Sequence, residues 1–192
     1  MTTSGSSFMS RVALAILALG LISVSASAED LDLTVFGGLQ HAGKLTFESA
    51  PGNATNLIRN FDPKTFGVFG ARVSHGKVIG GEHSFEYAPN FIDSESKAVL
   101  YHSNFLVQAP LPVVKPYGTA GIGVVHSWGD SLSSFGTKFA FNYGGGVKVI
   151  TGPVGVNMDV RGYAVPKIRV AGFSNSDRMD FIQVTAGVVF HF

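Results

Sequence analysis

The sequence predicts an all-β fold, an eight-stranded antiparallel up-and-down transmembrane β-barrel. Three observations predict it: the last segment alternates apolar and polar residues, the first has the pattern of a secretory leader, and eight strand-like runs are joined by connections of alternating length. Hydrophobic residues make up 45% of the chain and charged residues 14%. No apolar run after the leader is long enough for a membrane helix, so this apolar surface must be covered in alternating strands, against a second sheet or against lipid.

The last segment, residues 180–192, has the period of two that marks a β-strand. A soluble protein rarely ends on a bare, aromatic-tipped edge strand, because unpaired amides beside apolar side chains invite aggregation. The same strand suits the wall of a barrel that faces lipid, and an edge strand of a β-sandwich is the alternative. One face carries Ile182, Val184, Ala186, Val188, Phe190 and Phe192, and the other includes Gln183, Thr185, Gly187 and His191.

The first segment predicts export. Arg11 precedes an apolar run over residues 12–24, and small residues continue to Ala28. A positive flank, a short apolar core and an A-x-A site predict a secretory signal peptide that is cleaved after Ala28. A membrane anchor is less favoured, because the run is shorter than the roughly 20 apolar residues that span a bilayer. We therefore expect a leader over residues 1–28 and one barrel domain over residues 29–192.

Charge and cysteine content exclude several function classes. Lys and Arg total 14 and Asp and Glu 13, and Arg11 is the single charged residue of the leader, so the remaining chain is balanced. A balanced chain gives no reason to expect nucleic acid as a partner. The chain has no cysteine, which excludes disulfides and thiolate metal sites.

Eight runs have strand character, and their connections alternate in length. With both chain ends in the periplasm, every short connection falls on the periplasmic side and every longer one outside, which is the arrangement of a small outer-membrane barrel. A sandwich predicts no such alternation. The runs cover residues 31–41, 64–74, 78–88, 97–109, 115–127, 138–150, 153–164 and 180–192. The longest connections are 42–63, 128–137 and 165–179, the medium one is 89–96, and the short ones are 75–77, 110–114 and 151–152.

The sixth and seventh runs predict a hairpin with both apolar faces on one side. A two-residue turn at Thr151-Gly152 would leave Pro153 at the first position of its strand, where a missing N–H is tolerated. The predicted pairs are Ile150 with Pro153, Lys148 with Gly155, Gly146 with Asn157, Gly144 with Asp159 and Asn142 with Arg161. The outward residues are Phe139, Phe141, Tyr143, Val147, Val149, Val154, Val156, Met158 and Val160.

The second and third runs predict another hairpin. Side-chain parity requires an odd loop, so we predict three residues, His75-Gly76-Lys77, with Gly76 in the left-handed conformation. His83 falls on the lipid face, which implies either a position near the headgroups or a bulge at Gly80-Gly81 that shifts the face. The predicted outward residues of the second to fifth runs are Phe69, Ala71, Val73, Ile79, Phe85, Tyr87, Val99, Tyr101, Phe105, Val107, Ala120, Ile122 and Val124.

Aromatic residues near strand ends are candidates for the interfacial girdles that flank a barrel's apolar band, with simple burial as the alternative for each. They are Tyr87, Phe91, Tyr117, Trp128 and Phe192.

The inward face is charged. An eight-stranded barrel has a bore just wide enough to be filled by its own side chains, and charges buried there must pair. We expect a structural plug of salt bridges, and a narrow gated pore would require this network to rearrange. The predicted interior polar network is Arg72, Glu82, Glu86, His102, Lys138, Asp159 and Arg161.

Four stretches carry a family resemblance: the leader, K-P-Y-G-T-A-G-I-G-V at 115–124, F-N-Y-G-G-G-V-K at 141–148 and the terminal V-V-F-H-F. Together they resemble the small outer-membrane β-barrel superfamily, the OmpA-like or OmpX-like barrel domains often described as porin family proteins. The resemblance implies functions that vary among members: anchoring, adhesion, complement resistance or minor permeability. It also implies that Phe190 and Phe192 form the C-terminal assembly signal for the barrel-assembly machinery. Because the chain ends at the last strand, we do not expect a peptidoglycan-binding domain to follow.

An enzyme is the less favoured alternative, since lipid A deacylases and palmitoyltransferases use such barrels. The deacylase pattern places His and Ser two apart on one strand, so that both share a face. Here His102 and Ser103 are adjacent, as are His126 and Ser127, and adjacent residues point to opposite faces. The scattered histidines predict no metal site, and the glycines of residues 118–123 lack the G-K-[ST] ending of a phosphate loop.

The sequence therefore predicts a structural or surface-interaction barrel in the bacterial outer membrane, without catalysis, metal or other cofactor. Its expected partners are outer-membrane lipid, lipopolysaccharide and a host or cell-surface ligand that contacts the long loops. A narrow nonspecific pore and, less favoured, a lipid A-modifying hydrolase are the alternatives.

Overall fold

The computed structural model describes residues 30–42, 45–47, 59–61, 65–91, 96–129, 136–166, 169–170, 173–174 and 179–192. The predicted leader and cleavage site lie outside these residues, as do large parts of the three long connections. Within the described residues, no helix is long and apolar enough to cross a membrane.

Within these residues, twelve strands form one closed barrel and two short hairpins. All eight predicted runs are strands of the barrel, and their ends differ from the prediction by no more than two residues. The two short hairpins, β2–β3 and β10–β11, lie within the first and last long connections and were not predicted. The strands are β1 (Leu31–Ala42), β2 (Leu45–Phe47), β3 (Arg59–Phe61), β4 (Thr65–His75), β5 (Ile79–Ala88), β6 (Lys97–Gln108), β7 (Val114–Trp128), β8 (Gly136–Thr151), β9 (Val154–Val165), β10 (Arg169–Val170), β11 (Phe173–Ser174) and β12 (Met179–His191).

The barrel closes because β1 pairs with both β4 and β12. The order around the ring is β1-β12-β9-β8-β7-β6-β5-β4, and every strand is antiparallel to its neighbours. At the seam, the Phe192 N–H donates to the Leu31 carbonyl at 2.9 Å and the Leu31 N–H donates to the Phe192 carbonyl at 3.3 Å. Closure leaves no strand of the barrel with an unpaired edge.

The two faces of the barrel wall are inverted relative to a soluble protein. In β12, Val184 is 55% exposed on the outside, whereas Gln183 is fully buried inside. Val156 and Phe190 likewise point outward, and the apolar outward residues of every barrel strand follow the same alternation. The predicted fold class, with apolar side chains outside and polar ones inside, is confirmed.

The β8–β9 hairpin differs from the prediction by two residues in register. Thr151 pairs with Val154, so the turn is Gly152-Pro153, with Gly152 at φ 76°, and Pro153 lies in the turn instead of beginning the strand. A slip of two residues keeps every side chain on its predicted face. The pairs are Lys148 with Asn157, Gly146 with Asp159, Gly144 with Arg161 and Asn142 with Tyr163.

The β4–β5 hairpin has a three-residue connection, residues 76–78, one position later than predicted. Gly76 has a φ of 101°, so the predicted left-handed conformation is confirmed. His83 remains on the outer wall, where its Nδ1 lies 3.1 Å from the Tyr101 hydroxyl and its ring stacks on the Tyr101 ring. No shift of face at Gly80-Gly81 is therefore needed to explain His83.

Gly76→Ala is expected to lower the free energy of unfolding by about 1–3 kcal/mol, because a β-carbon is disfavoured at this φ and would also overlap the Ile79 carbonyl. Gly67→Ala is the matched control, since a β-carbon at Gly67 meets nothing within 4 Å. Urea unfolding of both variants in lipid vesicles measures the difference. Equal stabilities for the two variants would contradict the role given to Gly76.

Candidate functional site

The centre of the lumen holds an ionic network of four side chains from three strands. Arg161 of β9 donates to both carboxylate oxygens of Glu82 on β5, at 2.6 and 2.9 Å. Its Nε also donates to Asp159 Oδ1 at 2.7 Å, and Arg72 of β4 lies 3.4 Å from the same oxygen. None of the four side chains is more than 2% exposed. Bidentate, charge-assisted hydrogen bonds of this kind are among the stronger polar contacts in proteins.

Neutral groups complete this network. Asn104 donates to Glu82 at 2.9 Å, and the Tyr117 hydroxyl donates to Asp159 at 2.5 Å. The Arg72 guanidinium lies 3.8 Å from the centre of the Phe36 ring. Two cations thus face two carboxylates, so the network is neutral overall, which the burial of four charges requires.

A second polar layer closes the periplasmic end of the lumen. Lys148 of β8 reaches Asp32 of β1 at 2.6 Å and Ser74 of β4 at 2.8 Å. The other oxygen of Asp32 lies 2.6 Å from His191 Nδ1, and Asp30 lies 3.6 Å from His191 Nε2. Sequence reasoning left Lys148 and Asp32 out of the network, although both have inward parity in strands with clear alternation. This layer therefore joins the β1–β12 seam to β8 through the lumen.

The extracellular end of the lumen is apolar, which the sequence reading missed. Phe91, in the connection after β5, folds inward and packs edge-on against Phe181 at 5.6 Å between ring centres. Phe181 in turn stacks on Tyr163 at 4.6 Å. The cluster, called the apolar cap below, consists of Val68, Ala88, Phe91, Ala98, Leu100, Val125, Ala140, Tyr163, Val165 and Phe181.

For two of the five aromatic candidates the structure shows the alternative, burial, in place of a girdle position. Phe91 and Tyr117 are buried inside the barrel, Phe91 in the apolar cap and Tyr117 on Asp159. Tyr87 and Trp128 lie on the outer wall with ring centres 6.3 Å apart, and Phe192 is 71% exposed there. Parity places Tyr117 inward, and Phe91 lies in a connection whose path alternation does not predict.

The other three predicted interior residues, Glu86, His102 and Lys138, lie between the central network and the extracellular end of the barrel. Glu86 accepts a hydrogen bond from the Tyr163 hydroxyl at 3.0 Å. His102 is fully buried with its ring centre 5.0 Å from that of Tyr163. Lys138 lies near the extracellular end of β8, partly exposed, and is not one of the four residues of the central network. The structure thus brings Arg72, Glu82, Asp159 and Arg161 together and leaves Lys138 apart.

Neither histidine–serine neighbour pair forms a dyad. His102 is buried inside the barrel while Ser103 is exposed on the wall, and His126 is exposed while Ser127 is buried. Adjacent residues of a strand cannot share a face, as expected. In the described part of the chain, no group of three or more His, Asp or Glu side chains could hold a metal ion.

Glu82→Gln is expected to lower the free energy of unfolding by about 3–5 kcal/mol, because it leaves a buried cationic excess on Arg161 and Arg72. The double variant Glu82→Gln/Arg72→Gln restores neutrality and should recover part of this loss. Lys77→Gln, in an exposed turn, is the control for removing a charge from the surface. Urea unfolding in vesicles measures all three, and a double variant less stable than Glu82→Gln alone would refute the charge-balance account.

The comparisons with known proteins agree with this architecture. The family described as "Outer membrane protein beta-barrel domain" matches residues 14–192. The N-terminal β-barrel domain of Pseudomonas aeruginosa OprF is similar in structure at a TM-score of 0.57 and 13% identity, over 85% of this chain and 98% of that one. Neisserial surface protein A (NspA) gives a TM-score of 0.53 at 18% identity, over 83% and 97%.

The outer membrane protein OprG of Pseudomonas aeruginosa gives 0.52 at 10% identity, over 84% of this chain and 95% of that one. At these identities the three structures show the fold alone. No curated protein matches the chain at a significant level. The family match over almost the whole chain shows that this protein belongs to the outer-membrane β-barrel family and resides in the bacterial outer membrane.

Proposed function

We propose that this protein is a non-conducting outer-membrane barrel with structural and surface-interaction roles, acting through its extracellular loops and not as an enzyme. The observation that supports this most directly is the filling of the lumen in three successive layers. Lys148 and Asp32 occupy the periplasmic end, Arg161 and its carboxylates the centre, and the apolar cap the extracellular end.

The central network spans the full bore. On the ring, three strands lie between β9 and β5 in either direction, so the two strands stand opposite each other. The two hydrogen bonds from Arg161 to Glu82 therefore cross the lumen at its widest. An eight-stranded barrel leaves little space beyond that taken by its side chains. An ion path would need Arg161 to release both carboxylates, and each release leaves a buried charge without its partner.

A narrow pore is the alternative, and the two polar layers of the lumen, at the periplasmic end and in the centre, favour it. The periplasmic and central layers carry the charged and amide groups that line aqueous channels. A pore would nonetheless require the apolar cap to open as well, with Phe91 and Phe181 leaving their contact. The third possibility, a lipid A-modifying hydrolase, has no side-chain arrangement in its favour among the residues that the structure describes. An acyl-chain change in lipid A that depends on the protein would support it.

The proposed surface role depends on the long connections at the extracellular end of the barrel. The connections 42–63, 128–137 and 165–179 are longer than any periplasmic turn, and two of them carry short hairpins, β2–β3 and β10–β11. Long loops on a rigid scaffold are where small barrels vary and bind. We propose that lipopolysaccharide and a host or cell-surface ligand are the partners of this side.

Planar-bilayer recordings of the refolded protein test the closed state. We expect no discrete conductance steps from the wild type. We expect steps from the triple variant Phe91→Ala/Glu82→Ala/Arg161→Ala, in which the side chains that fill the lumen are truncated. This variant removes a cation and an anion together. Phe85→Ala is the matched control, because it removes the same ring from the lipid-facing wall. Regular steps from the wild type would favour the pore.

Export and assembly can be tested together. We propose that residues 1–28 are removed on export and that Phe192, an exposed residue directly after the last strand, is recognised by the barrel-assembly machinery. The wild type isolated from outer membranes should begin at Glu29, and Phe192→Ala should reduce the amount recovered there several-fold. Leu111→Ala, an exposed apolar residue in a periplasmic turn, is the control and should not change recovery. Full recovery of the Phe192 variant would refute the assembly role.

A further inference from the structure

The outer wall of β4 to β8 carries a single formal charge, the ammonium group of Lys97. Lys97 is the first residue of β6, and its exposed side chain has outward parity at the extracellular end of the barrel. No other outward position that the structure describes on these five strands holds a lysine, arginine, aspartate or glutamate. A charged side chain on a membrane wall is costly unless it reaches water or a group of opposite charge. Lys97 is thus placed to attract an anionic group at this level of the membrane.

A row of aromatic rings lies beside Lys97 and is positioned by its own contacts. Trp128, the last residue of β7, pairs with Lys97 across the sheet. The centre of a Trp128 ring lies 6.3 Å from that of Tyr87 and 5.7 Å from that of His126. His126 Nδ1 is in turn 2.7 Å from the Thr137 hydroxyl on β8. The indole therefore has a ring on each side before a ligand arrives, which lowers the entropic cost of binding.

Three groups of this row can donate hydrogen bonds to a ligand: the Lys97 ammonium, the Trp128 indole N–H and the Tyr87 hydroxyl. Within the described part of the chain, none of the three has a hydrogen-bond or ion-pair partner. A phosphate group accepts several hydrogen bonds at once, and its bond to an ammonium is charge-assisted. A phosphomonoester carries about −1.5 to −2 charges at pH 7, more than a phosphodiester, so this set of donors fits a phosphomonoester best.

The wall between this row and the membrane centre is apolar. On the same strands, Phe85 is 55% exposed and Ile122 is 52% exposed, and both point outward. A lipid of the outer leaflet has the same order along the membrane normal, with its head group outside and its acyl chains inside. The lipid that places phosphomonoesters at this level of a bacterial outer membrane is lipopolysaccharide, through its membrane-embedded part, lipid A.

We propose that Lys97, Trp128 and Tyr87 bind one phosphate of lipid A, while its acyl chains lie along the apolar wall of β5 to β7. Lys97 supplies the charge, and the other two side chains donate hydrogen bonds. His126 is a positioning residue that acts through Trp128. The site lies on the barrel strands and not in the long connections. It rests on the proposed function in one respect, since both take lipopolysaccharide as a partner.

The test removes the charge and the indole N–H separately. The protein is refolded into phosphatidylethanolamine vesicles that contain equimolar diphosphoryl lipid A and dioleoyl phosphatidylglycerol, transferred to detergent and examined by native mass spectrometry. We expect the wild type to retain one lipid A molecule in preference to phosphatidylglycerol. Lys97→Gln should lower lipid A retention by about fivefold, the scale of one lysine facing an anionic lipid surface. Trp128→Phe keeps a ring without the N–H and should lower retention by a smaller factor, whereas Lys97→Arg keeps the charge and should retain lipid A.

Lys77→Gln is the matched control, because Lys77 is an exposed lysine in the β4–β5 turn at the opposite end of the barrel, and it should retain lipid A as the wild type does. Heat-dependent gel mobility verifies that each variant is a folded barrel. Equal lipid A retention by the wild type and Lys97→Gln overturns the site alone and leaves the loops as the contact with lipopolysaccharide. A wild type that retains no lipid A overturns both the site and lipopolysaccharide as a partner. Equal retention of phosphatidylglycerol and lipid A, or a protein dimer that Lys97→Gln abolishes, also overturns the proposal.

Discussion

The contact of Arg161 with Glu82 and Asp159 in the middle of the lumen is the interaction on which the rest of the barrel depends. Because the outer wall lies in hydrocarbon, charged side chains are directed into the lumen. A bore of eight strands brings them within bonding distance whether or not their charges match. The four charges of Arg72, Glu82, Asp159 and Arg161 sum to zero and each has a partner of opposite sign. An imbalance would place an uncompensated ion in a region of low dielectric.

Ion pairs in the lumen also join strands that are distant in sequence. Glu82 and Arg161 are 79 positions apart, and Lys148 and Asp32 are 116 apart. The Lys148–Asp32 pair holds β1, the strand at which the ring closes, to β8. His191 of the last strand contacts the same Asp32 carboxylate. Backbone pairing closes the seam, and these side chains hold the two closing strands to β8 through the lumen.

Polar groups on the outer wall follow a consistent pattern. His41, His83 and His126 all face outward, and each has its Nδ1 within 3.1 Å of a hydroxyl on the neighbouring strand, from Thr65, Tyr101 and Thr137 respectively. A histidine in a membrane wall costs free energy unless its polar atoms are satisfied, and a cross-strand hydroxyl satisfies one of them.

The sequence by itself determined the eight strands of the barrel and the face of each side chain in them, because alternation is a local property that a lipid-facing wall imposes on every barrel strand. The inward position of Arg72, Glu82, Asp159 and Arg161 follows from parity alone. Tertiary structure decided which of them meet, since contact across a lumen depends on the strand order and stagger around the whole ring.

The same reason explains the errors and omissions of the sequence reading. The slip of two residues between β8 and β9 leaves the parity unchanged, so alternation could not detect it, and the inward fold of Phe91 occurs in a connection that has no periodicity. Local pattern fixes what each residue faces, and only closure of the ring fixes what it touches.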